Sequence, residues 1–416
     1  MFIRDTQGEF VFRAKFHFAT ELYLCLRYFS CNEKVLIIYF VISCMVWNGN
    51  SSKLKLYIRK RMRLPRYYLL FGLFGFLSLL SVSCKNGSPE NKILDRPAVN
   101  SIYFWKTRFE LNDYEQSFLK EHEVRRMYVR FFDVDDDDAG PYAQLNRIVP
   151  VATTQFVTSK PDSVEIVPTV FLTVRAISYI EHSVGGIREA AQKIVRRVLN
   201  MADYNDMGPV KEVQLDCDWT ESTQNAYFSL CKEVGALLHE EGILLSSTIR
   251  LHQLRTAAPP VDCGVLMLYN TGSLQSVSET NSIISRNNVA KYIRNRTVDY
   301  YLPLDFAYPT YRWGLVFRGG HFSGILHKSD YSDQTLYTPQ GDGTYRVAEG
   351  HEVDGEYLSR GMHIRVEDAP IATILEVKGI VEKAFPDTHH STIIYHLDSL
   401  NLTKYTPDEI TSIYSN

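Results

Sequence analysis

From residue 98 onward, apolar, β-branched and aromatic runs recur at Ile102–Trp105, Arg126–Val134, Glu165–Thr173, Glu212–Trp219, Leu244–Leu251, Gly264–Tyr269, Tyr300–Phe306 and Thr392–Leu397. Several are apolar at consecutive positions rather than at every second one, the pattern of strands buried on both faces in a parallel sheet. Between them, helical spacing predicts helices over Asp113–Glu121, Gly186–Met201, Thr223–Glu240 and Val366–Phe385. Strands alternating with helices across residues 98–416 predict an α/β chain folded as a (β/α)8 TIM barrel. An open doubly wound sheet is the competing arrangement, but no strand runs into a G-x-G-x-x-G turn.

The rhythm breaks once. Gly314–Arg365 is rich in Gly, Tyr, Asp and His, lacks a helical period and follows the seventh predicted strand. It reads as an irregular insertion over residues 314–365. Segments after barrel strands lie at the catalytic face, so this one is expected to act as a lid over one side of the cleft. Its composition also allows a small β-hairpin subdomain turning at Gln340-Gly341-Asp342-Gly343.

The N-terminal part has a different character. Tyr67–Ser83 is an uncharged apolar run preceded by Arg61, Arg63 and Arg66, which are the parts of a secretory signal. Its end, Leu80-Ser81-Val82-Ser83-Cys84, resembles the lipobox of bacterial lipoprotein signal peptides. That resemblance implies lipidation of Cys84, a membrane partner reached through the lipid anchor, and a place in the cell envelope outside the cytoplasm. Ser81 departs from the pattern, which has an aliphatic residue there; Leu80 stands one place too early. An uncleaved membrane anchor is the alternative. A signal at this position implies a start at Met62, so residues 1–61 read as a mis-called upstream extension, 62–83 as the signal peptide, 84–97 as a polar tether and 98–416 as the barrel domain.

Charge narrows the partners. Of 45 Lys+Arg and 48 Asp+Glu, 12 and 4 precede Cys84, which leaves 33 against 44 and a net charge of −11 for residues 84–416. Nucleic acid is therefore not an expected partner, since phosphate binding needs a basic patch. Cys217, Cys231 and Cys263 show no metal-ligand spacing and read as small buried residues. No metal or cofactor is expected. The acidic run Asp133–Asp138 has oxygen ligands suited to Ca²⁺ but lacks the EF-hand spacing, and reads instead as a solvated loop.

Candidate chemistry gathers at the predicted C-terminal ends of the strands, where barrel sites are assembled. Those ends carry Trp105; Arg130 with Asp133; Asp216 and Asp218; Arg250 and His252; Tyr269 and Asn270; Asp305 and Tyr308; and His396 with Asp398. Aromatic rings among carboxyl and amide groups suit sugars, whose C–H faces stack while their hydroxyls take hydrogen bonds. A glycan is thus the expected partner.

The fourth strand, VQLDCDWTES, is the most informative. Alternation puts Asp216 and Asp218 on one face and Leu215, Cys217 and Trp219 on the other. Two close carboxyls raise the affinity of one of them for a proton, an arrangement used in glycoside hydrolysis. This reading makes Asp216 and Asp218 the candidate catalytic pair, with Asp218 the acid and Asp216 its charged partner. The other reading pairs Asp216 with a barrel arginine, Arg130 or Arg250, and leaves Asp218 to cap the next helix. The strand resembles that of chitinase-type barrels (glycoside hydrolase family 18), which carry D-x-x-D-x-D-x-E. Asp216 and Asp218 match the central D-x-D, while Thr220 stands where the family has its acidic Glu. Residues 98–416, with the L-D-x-D-W strand and Tyr395–Asn401, also resemble an envelope lipoprotein family with glycoside-hydrolase-like barrels. Expected functions are therefore glycan binding with hydrolysis, non-catalytic glycan binding, or binding of a protein partner.

Overall fold

The computed structural model describes residues 96–140, 147–183, 185–293, 300–327, 330–386 and 390–415. The expectations for residues 1–61, for the signal run, for Cys84 and for the tether as far as residue 95 lie outside them.

Eight parallel strands close on themselves: β1 (Ser101–Phe104), β2 (Arg126–Asp136), β3 (Glu165–Leu172), β4 (Glu212–Asp216), β5 (Leu244–Arg250), β6 (Cys263–Met267), β7 (Leu304–Pro309) and β8 (Thr392–Tyr395). Each pairs with the next in chain order, and β1 closes the ring by pairing with both β2 and β8. Helices α1 (Asp113–Glu121), α2 (Val174–Ile180), α3 (Gly186–Tyr204), α4 (Gln224–Glu240), α5 (Arg286–Tyr292), α6 (Ile371–Ala384) and α7 (Pro407–Tyr414) follow the strands. This is the (β/α)8 TIM barrel that the strand count predicts.

Two predicted element starts move by four residues or more. β7 begins at Leu304 rather than Tyr300, just after Pro303, which has no N–H for a ladder. α6 begins at Ile371 rather than Val366, because Val366 lies in a strand, His363–Glu367, and Pro370 occupies the N-cap. α1 matches its expected span, its first turn held by a capping box between Asn112 and Glu115.

Alternation along the strands splits the barrel into an apolar jacket and a polar lumen. On β4, Val213 and Leu215 are buried away from the lumen, while Gln214 accepts a bond from the Tyr103 hydroxyl at 2.7 Å and reaches Ser246 at 3.4 Å. The N-terminal opening is plugged by Arg96. Its guanidinium contacts Glu212 at 2.8 Å, Asp305 at 2.5 Å and the Tyr128 hydroxyl at 2.5 Å. Buried charges persist only when paired, and this three-way contact pairs two buried carboxyls with one cation.

After β2 no helix follows among the described residues. The chain instead returns as an antiparallel strand, Ile148–Val151, along the end of β2. The acidic run on that end is not a solvated loop. Asp133 is paired with Arg130, Asp135 with Arg175 and Thr173, and Asp136 with Arg147. Among the described residues, no group of three or more acidic, His or Cys side chains is placed to hold a metal ion. Cys217, Cys231 and Cys263 are buried free thiols.

The insertion is a sheet. Strands over residues 313–318, 321–326, 337–341, 344–347 and 363–367 form a five-stranded antiparallel sheet, with a further hairpin at 351–353 and 356–358. It has a small core of its own, with Val316, Leu326, Tyr337, Val347 and Ile364 all buried. The hairpin turn sits at Gly341-Asp342-Gly343, all three at positive φ, as expected where glycine relieves the left-handed backbone. Arg318-Gly319-Gly320-His321 is likewise a hairpin turn.

Candidate functional site

The C-terminal mouth of the barrel is built from strand ends, and β4 sets its chemistry. Regular pairing stops at Asp216, yet alternation carries on through Trp219. Cys217 and Trp219 are buried, with Trp219 stacked near Tyr227 and edge-on to Phe228 of α4. Asp216 and Asp218 face the other way. Asp216 Oδ1 accepts a hydrogen bond from Thr248 Oγ1 at 2.6 Å. Asp218 takes both Nε and Nη2 of Arg250, at 2.5 and 2.8 Å.

Asp216 is 8% exposed, whereas the Asp218 side chain is 47% exposed. Burial, and then the charge of Asp218, push the Asp216 carboxyl up to about 6, against the opposing pull of the Thr248 bond and Arg250. Asp216 is thus the member whose affinity for a proton is raised, and Asp218 is the one bound by arginine. The expected ion pair between Asp216 and Arg130 or Arg250 is not formed: Arg130 is bound by Asp133 and Arg250 by Asp218. The reason is register. Arg250 ends β5 two residues beyond Thr248, so it draws level with Asp218 rather than Asp216.

Aromatic rings form the floor beside Asp216. Tyr395 stacks on Tyr269 at 4.4 Å between centroids and meets Tyr103 at 5.5 Å, Tyr311 at 5.7 Å and Trp105 at 6.1 Å. The Arg130 guanidinium lies 5.7 Å from the Trp105 ring. The Tyr311 hydroxyl donates to Asn270 Oδ1 at 2.6 Å and so fixes the end of β6. Asp216 and Arg250 both act electrostatically on the Tyr269 and Tyr395 phenols, which burial pushes up.

The β8 side adds a second polar group. Lys106 bonds the buried Glu115 at 2.7 Å and lies 3.5 Å from Asp398, which also accepts from Asn401. His396 sits beside them, its Nδ1 buried without a hydrogen-bond partner, and burial lowers its imidazole to about 4. The peptide bond between Tyr395 and His396 is cis. His252 is exposed at the rim, where burial and then Arg250 lower it.

Trp105, Arg130, Asp216, Asp218, Arg250, Tyr269 and Asn270 are thus brought together at the mouth, with His396 and Asp398 beside them. Two expected site residues lie elsewhere. Asp305 is the second residue of β7, at the closed end of the barrel, where it binds Arg96 and accepts from Ser391 N at 2.7 Å. The late start of β7 puts it there. Tyr308 is fully buried and feels Glu382 of α6, so it belongs to the helix-facing side of β7. Tyr311, beyond the end of β7, joins the mouth residues, and Thr248, Tyr103 and Tyr395 complete the site without having been expected in it. Period-two counting would have found Thr248 and Tyr395, which are in phase with Arg250 and Ile393.

Thr220, at the position of the chitinase acid, bonds within its own turn. Its hydroxyl is 2.9 Å from Ser222 and 3.3 Å from Thr223 at the start of α4. Glu221 is exposed. Of the carboxyls on β4 and the turn after it, only Asp216 and Asp218 face the mouth.

No family model and no curated protein matches the chain. Solved structures similar to it include the spore cortex-lytic enzyme SleL of Bacillus cereus, at 13% identity and TM-score 0.44, covering 76% of this chain and 74% of that one. The class V chitinase of Nicotiana tobaccum, solved with NAG4, is similar at 12% identity and TM-score 0.42, covering 77% and 99%. A chitinase-like agglutinin of Robinia pseudoacacia is similar at 10% identity and TM-score 0.43, covering 76% and 100%.

Proposed function

We propose that the barrel mouth binds a glycan, and that binding rather than hydrolysis is its function. The observation that carries this is the stacked Tyr395–Tyr269 pair set against the carboxyl of Asp216. A ring face next to a polar group that can donate or accept matches the two-sided chemistry of a sugar. The two-carboxyl route to hydrolysis sets one carboxyl that holds a proton and one free to attack or to activate water across the scissile bond, whereas a substrate-assisted route takes its nucleophile from the sugar and asks the protein for the acid. Here the second carboxyl, Asp218, is engaged on both oxygens by Arg250, and Thr220 replaces the acid.

The test is a glycan array followed by calorimetry on its hits, with a hydrolysis assay on the same oligosaccharides. Binding without turnover, lost in Tyr395→Ala and kept in Tyr395→Phe, is the expected result. Turnover abolished by Asp216→Asn would replace the binding reading with the hydrolytic one. Absence of any glycan ligand would overturn both.

The chain is further proposed to be an exported lipoprotein held at the envelope through Cys84. The support is the arginine-flanked apolar run and the small residues before the cysteine.

A further inference from the structure

Where β2 is followed by no helix among the described residues, a groove lies outside the barrel. In a (β/α)8 fold each strand is ordinarily followed by a helix that covers its outer face. Here the outer face of β2, including Phe132 and Val134, is bordered by strand 148–151 on one side and α3 on the other. The resulting groove has a volume of about 620 Å³, within the usual range for small-molecule sites. Its floor is apolar, with Phe132, Val134, Ile148, Ala190, Ile194 and Met201. Its charged rim is basic: Lys193, Arg196 and Arg197 against Glu189 alone. Glu189 is taken by Lys193 at 2.6 Å, and among the described residues neither Arg196 nor Arg197 has an ion pair. On a chain with net charge −11 from Cys84 onward, this local excess of cations is out of keeping with the rest.

We propose that this groove binds a long-chain fatty acid, its hydrocarbon chain on the floor and its carboxylate against Arg196 and Arg197. Burial of methylenes supplies affinity in proportion to the apolar area removed from water. The guanidinium groups match a carboxylate in both charge and geometry. Arg197 is already held at the rim, over the Phe132 ring at 5.0 Å and bonded to Thr153 at 2.9 Å, so little ordering is needed when an anion arrives. A peptide added as a strand fits less well. In the register of strand 148–151, Arg147 is bonded to Asp137, so the free edge falls at Ile148 and Pro150, and proline offers no N–H.

Calorimetry of the protein with dodecanoate and with dodecyltrimethylammonium, both below micelle formation, separates this site from general surfactant binding. Dodecanoate should saturate at one per chain and bind at least roughly tenfold more tightly than the cation of equal length. Arg196→Glu, an exposed change, should weaken dodecanoate by about tenfold without altering the melting temperature. Ala190→Trp should block the groove; should it fail to fold, the Arg196 variant still decides. Equal binding of both surfactants, no saturable binding of dodecanoate, or wild-type affinity in Arg196→Glu would each overturn the proposal. So would a concentration-dependent dimer that dodecanoate does not dissociate, since the groove would then serve a second copy of the chain. Glycan binding at the mouth is independent of every one of these outcomes.

Discussion

Thr248 donates its hydroxyl hydrogen to Asp216 across 2.6 Å, one step deeper in the barrel than the two-pronged contact between Arg250 and Asp218. The two carboxyls share a face of one strand end but live in different surroundings. The buried Asp216 is bonded to a neutral hydroxyl and feels Arg250 only through space, while the more exposed Asp218 binds that cation directly. Burial and the nearby negative charge therefore act on Asp216.

A stability prediction follows from the sign of that shift. The folded protein holds the Asp216 proton up to about 6, whereas the unfolded chain releases it near 3.8. Between those values the folded state binds more protons, so this group's contribution is fully present below about 3.8 and is lost as pH rises toward 6. Asp216→Asn keeps the Thr248 contact without the charge. It should raise stability at pH 7 by about 2 kcal/mol and have little effect at pH 3.5. His396, held neutral down to about 4, acts in the opposite direction over an overlapping range, so variant and wild type are compared at each pH. Urea denaturation across pH 3.5 to 7 measures the difference; a variant less stable at pH 7 would show that Asp216 has a cationic partner after all.

Arg96 offers a second test. Replacing it with Met retains much of the side-chain bulk but leaves Glu212 and Asp305 facing each other in the closed end of the barrel. Loss of a buried partner ordinarily costs about 3–5 kcal/mol, and a destabilisation of that order is expected at neutral pH. Thermal melting should show the deficit shrink as pH falls and the carboxyls take up protons. A deficit that does not change with pH would mean that packing, not charge, is what Arg96 provides.

The insertion should melt separately from the barrel. Tyr337 is 2% exposed in the insertion's own small core, and its hydroxyl meets His351 at 2.7 Å. Tyr337→Ala should destabilise that sheet by about 3–5 kcal/mol, the usual range for a buried aromatic. Limited proteolysis is then expected to cut within residues 314–365 while a barrel fragment persists. Cleavage within β4 at the same protease dose would show that the two cores are one cooperative unit.

The proposed membrane attachment is tested at one atom, the Cys84 sulfur. Cys84→Ala should move the protein from the membrane fraction to the soluble one and abolish incorporation of labelled palmitate. Retention on the membrane without label would favour an uncleaved apolar anchor over a lipid.

Continuous apolar runs and period-3.6 patterns decided the architecture, because burial on both faces of a parallel strand writes an apolar run that survives in one dimension. All eight barrel strands overlap their predicted runs, and α1 coincides with its own. The facing of Asp216 and Asp218 was likewise legible, since alternation is a local property of extended backbone. The insertion was harder to read. Its strands run for three to six residues, so their pattern is too short to register.

Which carboxyl meets which arginine was not legible. That depends on the stagger between β4 and β5, which sets Thr248 beside Asp216 and Arg250 beside Asp218. The late start of β7 put Asp305 at the closed end of the barrel, and alternation from there turned Tyr308 toward α6. The groove beside α3 lies where, among the described residues, the chain returns along β2 as a strand and forms no helix. Side-chain chemistry is written residue by residue, but the field each group feels is summed over neighbours from distant parts of the chain. Only the closed barrel brings those neighbours together.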